Sequence, residues 1–292
     1  MQPDSASFKL CAVLVLYKTE LRSSCSYQSL LRALSASGAS IALRLLIYDN
    51  SPTSQECPDP PPGVNTFYRH DPSNGGLTAA YNFALTDAAT HQCEWLLLLD
   101  QDTTLPADYL NTFLAVAPWL DSRIACVLPK MRIDGTIMSP RHTGILSGAR
   151  LVLLPAEHGV AHDEITGINS ASFVNVAYLR RRGGYNKNYW LDGVDFWFFA
   201  DFYRQGMKAW VLNTTVDHEL STSGIGSVSI DRYQSITSAE ADFQIHMRKR
   251  PARVFASVVG LVHSAVLLSR GHRSHARVRV SASLRLLKSA LG

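Results

Sequence analysis

The chain has 292 residues, 46% of them hydrophobic and 18% charged, with a formal net charge of +4. A disordered chain would be poorer in apolar residues, and a disulfide scaffold would be shorter and denser in cysteine, so both classes are excluded. The length accommodates one large domain or two small ones around a sizeable core.

The start, Met1-Gln2-Pro3-Asp4-Ser5, has no basic residue ahead of the first apolar run and does not look like a signal peptide, which points to a cytoplasmic protein. Cys11, Cys25, Cys57, Cys93 and Cys126 are odd in number and never form Cys-x-x-Cys, so they read as thiols in a reducing compartment rather than a disulfide framework or zinc site. Residues 10–16 are short, apolar and β-branched enough for a strand buried on both faces of a mostly parallel sheet. Residues 29–34 follow with helical leucine spacing, and residues 43–48 make a second strand ending at Asp49-Asn50-Ser51-Pro52. Residues 65–69 predict a third strand. Residues 75–89 predict a helix with Leu77, Ala80, Tyr81, Ala84, Leu85 and Ala88 on one face. A fourth buried strand, residues 95–99, stops at Asp100-Gln101-Asp102.

From residue 124 to about 155 the pattern changes to short alternating strands with Gly135, Gly144 and Gly148 as turn points, which predicts hairpins. Residues 165–179 are mixed, and residues 194–205 form an aromatic-rich helix ended by Gly206. Val211-Leu212 returns as a strand before Asp217-His218-Glu219. No Pro/Gly/Ser linker separates the halves, so residues 1–242 read as one α/β domain. No internal repeat, heptad series, Gly-x-Gly-x-x-Gly or Walker loop is present, which argues against a dinucleotide enzyme or a P-loop NTPase.

Three clusters fall on one edge of the expected sheet, the carboxyl ends of its strands, where open α/β sheets bind ligands. Asp100 and Asp102 are hard oxygen ligands that can hold Mg²⁺ or Mn²⁺ and leave positions for phosphate oxygens, although their spacing alone suits a polar strand cap equally well. Asp49 can accept the N3–H of uracil or thymine, and the Asn74-Gly75-Gly76 helix start offers backbone N–H groups to an anion. Together the clusters describe a nucleoside-diphosphate site.

The series Val15-Leu16-Tyr17, Tyr48-Asp49-Asn50-Ser51, Asn74 to Asn82 and Leu98-Leu99-Asp100-Gln101-Asp102 resembles the inverting family-2 glycosyltransferases of GT-A fold. The Asp-Gln-Asp and Asn-Gly-Gly forms, with Gly183 to Phe196 and Asp217-His218-Glu219-Leu220, are similar to the bacterial rhamnosyltransferase branch. The likeness covers residues from about 10 to 220 and implies a GT-A nucleotide-binding sandwich with a mostly parallel central sheet. It also implies roles: Tyr17, Asp49, Asn74, Gly75 and Asp100 on the nucleotide, Asp102 as the direct metal ligand and His218 beside the diphosphate or metal. Inverting transfer needs a base for the acceptor hydroxyl. Asp192 and Asp195 are the candidates, with Asp192 preferred and Asp195 as the helix-start carboxylate. Gly193 stands where many relatives carry an acidic residue. The implied activity is transfer of L-rhamnose from dTDP-rhamnose to a cell-surface glycan or lipid-linked acceptor. The alternatives are a UDP-sugar donor, or a noncatalytic nucleotide-sugar-binding assembly protein for which Gly193 is the best support. Arg180-Arg181-Arg182 reads as a solvated basic face or a contact for an anionic acceptor.

No acidic residue follows Asp242, while ten basic residues do, so residues 1–242 carry a net of −6. Residues 243–292 read as a basic amphipathic helical tail. Residues 254–268, about fifteen and interrupted by His263, are too short for a span and read as a helix at the inner membrane surface. Residues 278–291 give a second helix with Val280, Leu284, Leu287 and Leu291 on one face. An ordinary helical pair packed on the body or on another subunit of a homo-oligomer explains the same pattern. No aromatic residue follows Phe255, so a nucleic-acid partner is not expected.

Overall fold

A computed structural model describes residues 7–38, 41–143, 156–219 and 228–291. In β1 (Phe8–Leu16), Cys11, Val13 and Val15 join the core under one face of the sheet, and Leu10, Ala12, Leu14 and Leu16 join the core under the other. Alternate side chains of a strand point to opposite faces, so a continuous apolar run implies both faces are covered. α1 (Cys25–Ser35) begins where the Ser24 hydroxyl accepts the Tyr27 N–H. β2 (Ile41–Asp49) then pairs parallel with β1, and β3 (Val64–His70) pairs parallel with β2. α2 (Gly76–Thr90) packs Ala80, Tyr81, Ala84, Leu85 and Ala88 into the first core. β4 (Trp95–Asp100) lies parallel to β1 on its other side. The register sets Leu16 beside Asp49 and Val15 beside Asp100, which brings two of the expected polar clusters to one sheet edge.

Beyond β5 (Thr103–Thr104) and α3 (Tyr109–Val116), the expected hairpin region opens with β6 (Ile124–Ile133) and β7 (Thr136–Ser139). Asp134 and Gly135 join them with φ of 48° and 76°, the backbone an Asp-Gly hairpin turn requires. β8 (Arg141–His142) follows, whereas Gly144 and Gly148 lie outside the described residues. The mixed segment contains β10 (Ile165–Thr166), β11 (Ser172–Asn175) and α4 (Val176–Arg181), after the short β9 (Gly159–Val160). α5 (Val194–Arg204) buries Val194, Trp197, Phe198, Phe199 and Phe202, and β12 (Lys208–His218) closes the α/β body. Among the described residues the main sheet runs β3-β2-β1-β4-β11-β6-β12-β5. β11 is antiparallel to both β4 and β6, while β12 is parallel to β6. The core of α2, α4 and α5 lies on one face and that of α1 and α3 on the other, the expected mostly parallel α/β sandwich.

The arginine triplet divides. Arg180 and Arg181 are exposed, but Arg182 donates two hydrogen bonds of 2.8 Å to the buried Asp201 of α5, which also accepts the Tyr178 hydroxyl at 3.0 Å. Asp201→Ala strands one partner and is expected to cost about 1–3 kcal/mol, read as a lowered urea midpoint at constant m-value. An unchanged midpoint would show that the pair holds nothing together.

Three helices form the tail: α6 (Ile230–Met247), α7 (Arg250–Ser269) and α8 (Arg273–Leu291). No sequence pattern announces α6, which spans the expected 242/243 boundary, because its apolar face is sparse. α7 corrects the expected length. It has 20 residues rather than about fifteen, because Pro251 sits in the first turn, where its missing N–H costs no helical bond. By length and composition alone it could cross a membrane.

Candidate active site

β4 ends on Asp100, and the segment before β11 turns back over that end. Ala171, at φ 60°, donates its N–H to the Leu98 carbonyl at 2.7 Å, which holds Ser170 against the strand terminus. The Ser170 hydroxyl accepts the Asp100 N–H at 2.9 Å and lies 2.8 Å from the Thr103 hydroxyl. That hydroxyl is in turn 2.8 Å from Nδ1 of His218, which pairs with Thr103 across β12 and β5. Hydroxyls thus tie Asp100 to His218, and Tyr81 donates to Oδ1 of Asp100 at 3.2 Å. Burial, with the neighbouring Asp102 charge, pushes Asp100 up to about 6. Burial also raises Asp102, against the opposing pull of His218.

Oδ1 of Asp102 is buried without a hydrogen-bond partner, 3.5 Å from Nδ1 of His218. Among the described residues no group of three or more His, Cys, Asp or Glu side chains forms a closed metal cage. An orphaned carboxylate oxygen beside an imidazole fits a Mg²⁺ or Mn²⁺ ion that takes its remaining ligands from phosphate oxygens and water. A cleft lined by Thr104, Arg132, Asp134, Gly135, Asp217, His218 and Glu219 opens beside this pair.

Asp195, in the first turn of α5, faces the same centre. Its carboxylate accepts the Asn169 N–H, and burial together with the Asp100 charge pushes it up to about 7. Asp192 is placed differently. Oδ2 of Asp192 accepts Arg232 at 2.7 Å and Ser235 at 3.1 Å, both from α6. Burial raises the Asp192 carboxyl while the Arg232 charge pulls it down. Gly193 between them has φ 79°, and its Cβ position lies 2.9 Å from the Tyr189 ring, so an acidic side chain would not fit there without movement.

The residues expected to face a nucleotide are less open than the sequence suggests. Asp49 is fully buried: Oδ1 accepts the Ser51 N–H at 2.9 Å, and Oδ2 accepts Gln55 at 2.9 Å and Tyr68 at 2.8 Å. Burial raises its carboxyl, but these donors outweigh it and hold it below the usual carboxylate range. In this conformation Asp49 pins the loop after β2. Tyr17 is exposed and donates its N–H to Oε1 of Gln101 at 2.8 Å, which keeps it beside the Asp-Gln-Asp turn. At the start of α2 the Gly75 N–H is taken by Asp71 at 3.1 Å and the Thr78 N–H by the Trp190 carbonyl at 3.4 Å. The expectation that this helix start presents free N–H groups is thus corrected for both. Asn74 has φ 53°, and its carbonyl accepts the Trp190 indole at 2.6 Å.

Sequence reasoning missed Asn169, Ser170, Tyr81 and Arg232. Asn169 is 1% exposed, and both polar atoms of its side chain lack partners. Only the antiparallel insertion of β11 beside β4 brings residues 169 and 170 to the site, and no local pattern announces that pairing.

Neither the protein-family models nor the curated proteins contain a sequence match to the chain. The fold is similar to that of S. aureus TarS 1-349, with a TM-score of 0.50 at 13% identity over 97% of this chain and 91% of that one. For TarS 1-349 in complex with UDP-GlcNAc the TM-score is 0.52 at 13% identity, with the same coverage. Against the longer TarS chain the match covers 88% of this chain and 43% of that one. The similarity shows a GT-A-like α/β fold with a C-terminal helical tail.

Proposed function

We propose that the chain is a metal-dependent inverting glycosyltransferase that moves a sugar, L-rhamnose from dTDP-rhamnose, onto a glycan or lipid-linked acceptor. The observation that carries the reading is the convergence of Asp100, Asp102, His218 and Asp195 at the carboxyl end of β4. The complex of the similar TarS fold with UDP-GlcNAc supports a nucleotide-sugar ligand. It also favours a second reading, the same reaction with a UDP-sugar donor.

Asp102 and His218 would hold the Mg²⁺ or Mn²⁺ ion, which supplies positive charge for a departing diphosphate. Asp100 ends β4 two residues before Asp102, and its carboxyl accepts the Tyr81 hydroxyl. Asp195 accepts the proton of the acceptor hydroxyl, because a carboxylate raised towards neutrality is a stronger base than an ordinary one. The residue order favours Asp192, but its engagement with Arg232 and Ser235 makes it the positioning group and Asp195 the base. With the Asp100 backbone held by Ser170, its carboxyl by Tyr81 and the Asp195 carboxylate by the Asn169 N–H, these carboxylates are set in place before a ligand arrives.

The test is a melting-temperature panel of dTDP-rhamnose, UDP-GlcNAc and the free nucleotides, with and without Mn²⁺, alongside a donor-hydrolysis assay. A ligand that binds the folded state raises the melting temperature with occupancy. The expected result is a Mn²⁺-dependent rise for at least one nucleotide sugar, with slow hydrolysis of that donor. Asp102→Ala should erase the Mn²⁺ increment while leaving the unliganded melting temperature unchanged. No shift and no hydrolysis across the panel would overturn the reading.

A further inference from the structure

α7 is built inside out for a helix in water. The side it packs against α8 is small and polar except for Leu267 near its end, with Ser257, Gly260 and Ser264 buried, while Val258, Leu261, Val262, Val266 and Leu268 are exposed. Val262 is 62% exposed. The small side lets the two backbones approach. A Cβ on Gly260 would lie 2.2 Å from the Ser283 hydroxyl, and Ser257 donates to the Ser283 carbonyl at 2.7 Å. Water would favour the opposite arrangement. A small-residue seam with apolar side chains outward is how helices pair against lipid.

From this reversal and the charge around it, we infer that the outward face of α7 is a docking surface for an anionic phospholipid bilayer. Arg270, Arg273, Arg277 and Lys288 are exposed around α7 and α8, and the sequence has no acidic residue after Asp242. Cations rimming an apolar face match anionic headgroups above hydrocarbon. A second copy of the chain would bring the same cations against each other.

The helix lies in the membrane plane. α8 runs alongside α7 and is fastened to α6, where Arg279 pairs with Glu240 at 2.5 Å and with the Tyr233 hydroxyl at 3.1 Å, and Arg285 pairs with Asp242. A spanning α7 would draw α8 and these charges into hydrocarbon, which is costly. α6 is also the helix that supplies Arg232 and Ser235 to Asp192, so the candidate site and the lipid-facing pair hang on one element. This surface does not depend on the sugar-transfer reading.

The test uses the full chain with phosphatidylcholine vesicles, with and without phosphatidylglycerol, in a flotation assay. The wild type should float with the anionic vesicles and far less with neutral ones. The double variant Val258→Glu/Val262→Glu should lose about tenfold or more of that binding, with its melting temperature and Mn²⁺-dependent donor hydrolysis unchanged. The control Trp119→Glu/Met138→Glu, an equal charge change at residues of the body that are 80% and 47% exposed, should retain the binding. Three results would overturn the inference: no flotation of the wild type, a double variant that floats as well as the wild type, or a wild-type dimer that the double variant dissociates. A wild type that hydrolyses donor but does not float sinks this surface alone, whereas a wild type that floats without hydrolysing donor sinks only the sugar-transfer reading.

Discussion

Asp195→Asn is expected to lower sugar transfer by about 10³-fold, within the range that removal of a general base produces. The same variant should melt a few degrees higher than the wild type, because an ionised Asp195 is held unfavourably by burial and by the Asp100 charge. The sign follows from linkage. A carboxyl raised to about 7 in the folded chain, against roughly 4 when unfolded, binds its proton more tightly folded. The stability it confers is complete below the unfolded value and is lost as pH rises through about 7. Wild-type stability should therefore fall more steeply between about pH 4 and 7 than that of the variant. Initial rates, donor affinity and melting curves across that range check all three statements. A variant that loses activity together with stability would make Asp195 a structural residue, and one that keeps activity would return the base role to Asp192.

Asp49 carries the opposite sign. Its folded value is depressed by Ser51, Gln55 and Tyr68, so its contribution is present at neutral pH and is lost as pH falls through and below the ordinary carboxylate range. The carboxylates at the end of β2 and at the start of α5 thus respond to acid in opposite ways. Asp49 fastens a loop, and Asp195 stores a cost that chemistry can use.

The sequence exposed what is local and periodic. The apolar runs of β1, β2 and β4 are legible because parallel strands covered on both faces must be continuously hydrophobic, and the polar residues that end those runs mark the site edge directly. Asp49, Asp100 and Asp102 could therefore be named, and Asp192, Asp195, His218 and Tyr17 through resemblance. What could not be read is which carboxylate is free. That depends on Arg232 and Ser235, about forty residues away on a helix whose apolar pattern is too sparse to signal itself. Nor could burial of Asp49 be read, since its partner Tyr68 comes from β3, and the alternation of β3 says nothing about where a phenol ends. The Asn74-Gly75-Gly76 start is legible as a glycine requirement but for an incomplete reason. The glycines answer to Trp190 and Asp71 as much as to any anion.

That requirement sets the second large effect. Gly76 has φ 73°, and a Cβ there would lie 2.3 Å from the Trp190 carbonyl oxygen and 2.7 Å from its ring. Gly76→Ala combines left-handed strain with a clash against backbone that cannot rotate away, and should cost about 2–5 kcal/mol. Gly206 has nearly the same φ, 72°, with nothing within 4 Å of its Cβ position, so Gly206→Ala should cost only the strain, about 1–2 kcal/mol. The difference between the two urea midpoints at equal m-value isolates the contact with Trp190. Its consequence reaches the chemistry, because Trp190 precedes Asp192 by two residues and its carbonyl, with that of Tyr189, receives Thr78 of α2. Displacing Trp190 shifts the segment that delivers Asp192 and Asp195, so folded Gly76→Ala should also lose transfer, by about tenfold or more for a misplacement near 1 Å. Equal stability losses in the two variants would mean that the 189–190 segment yields freely, and the site would then owe its geometry to α6 and β11 alone.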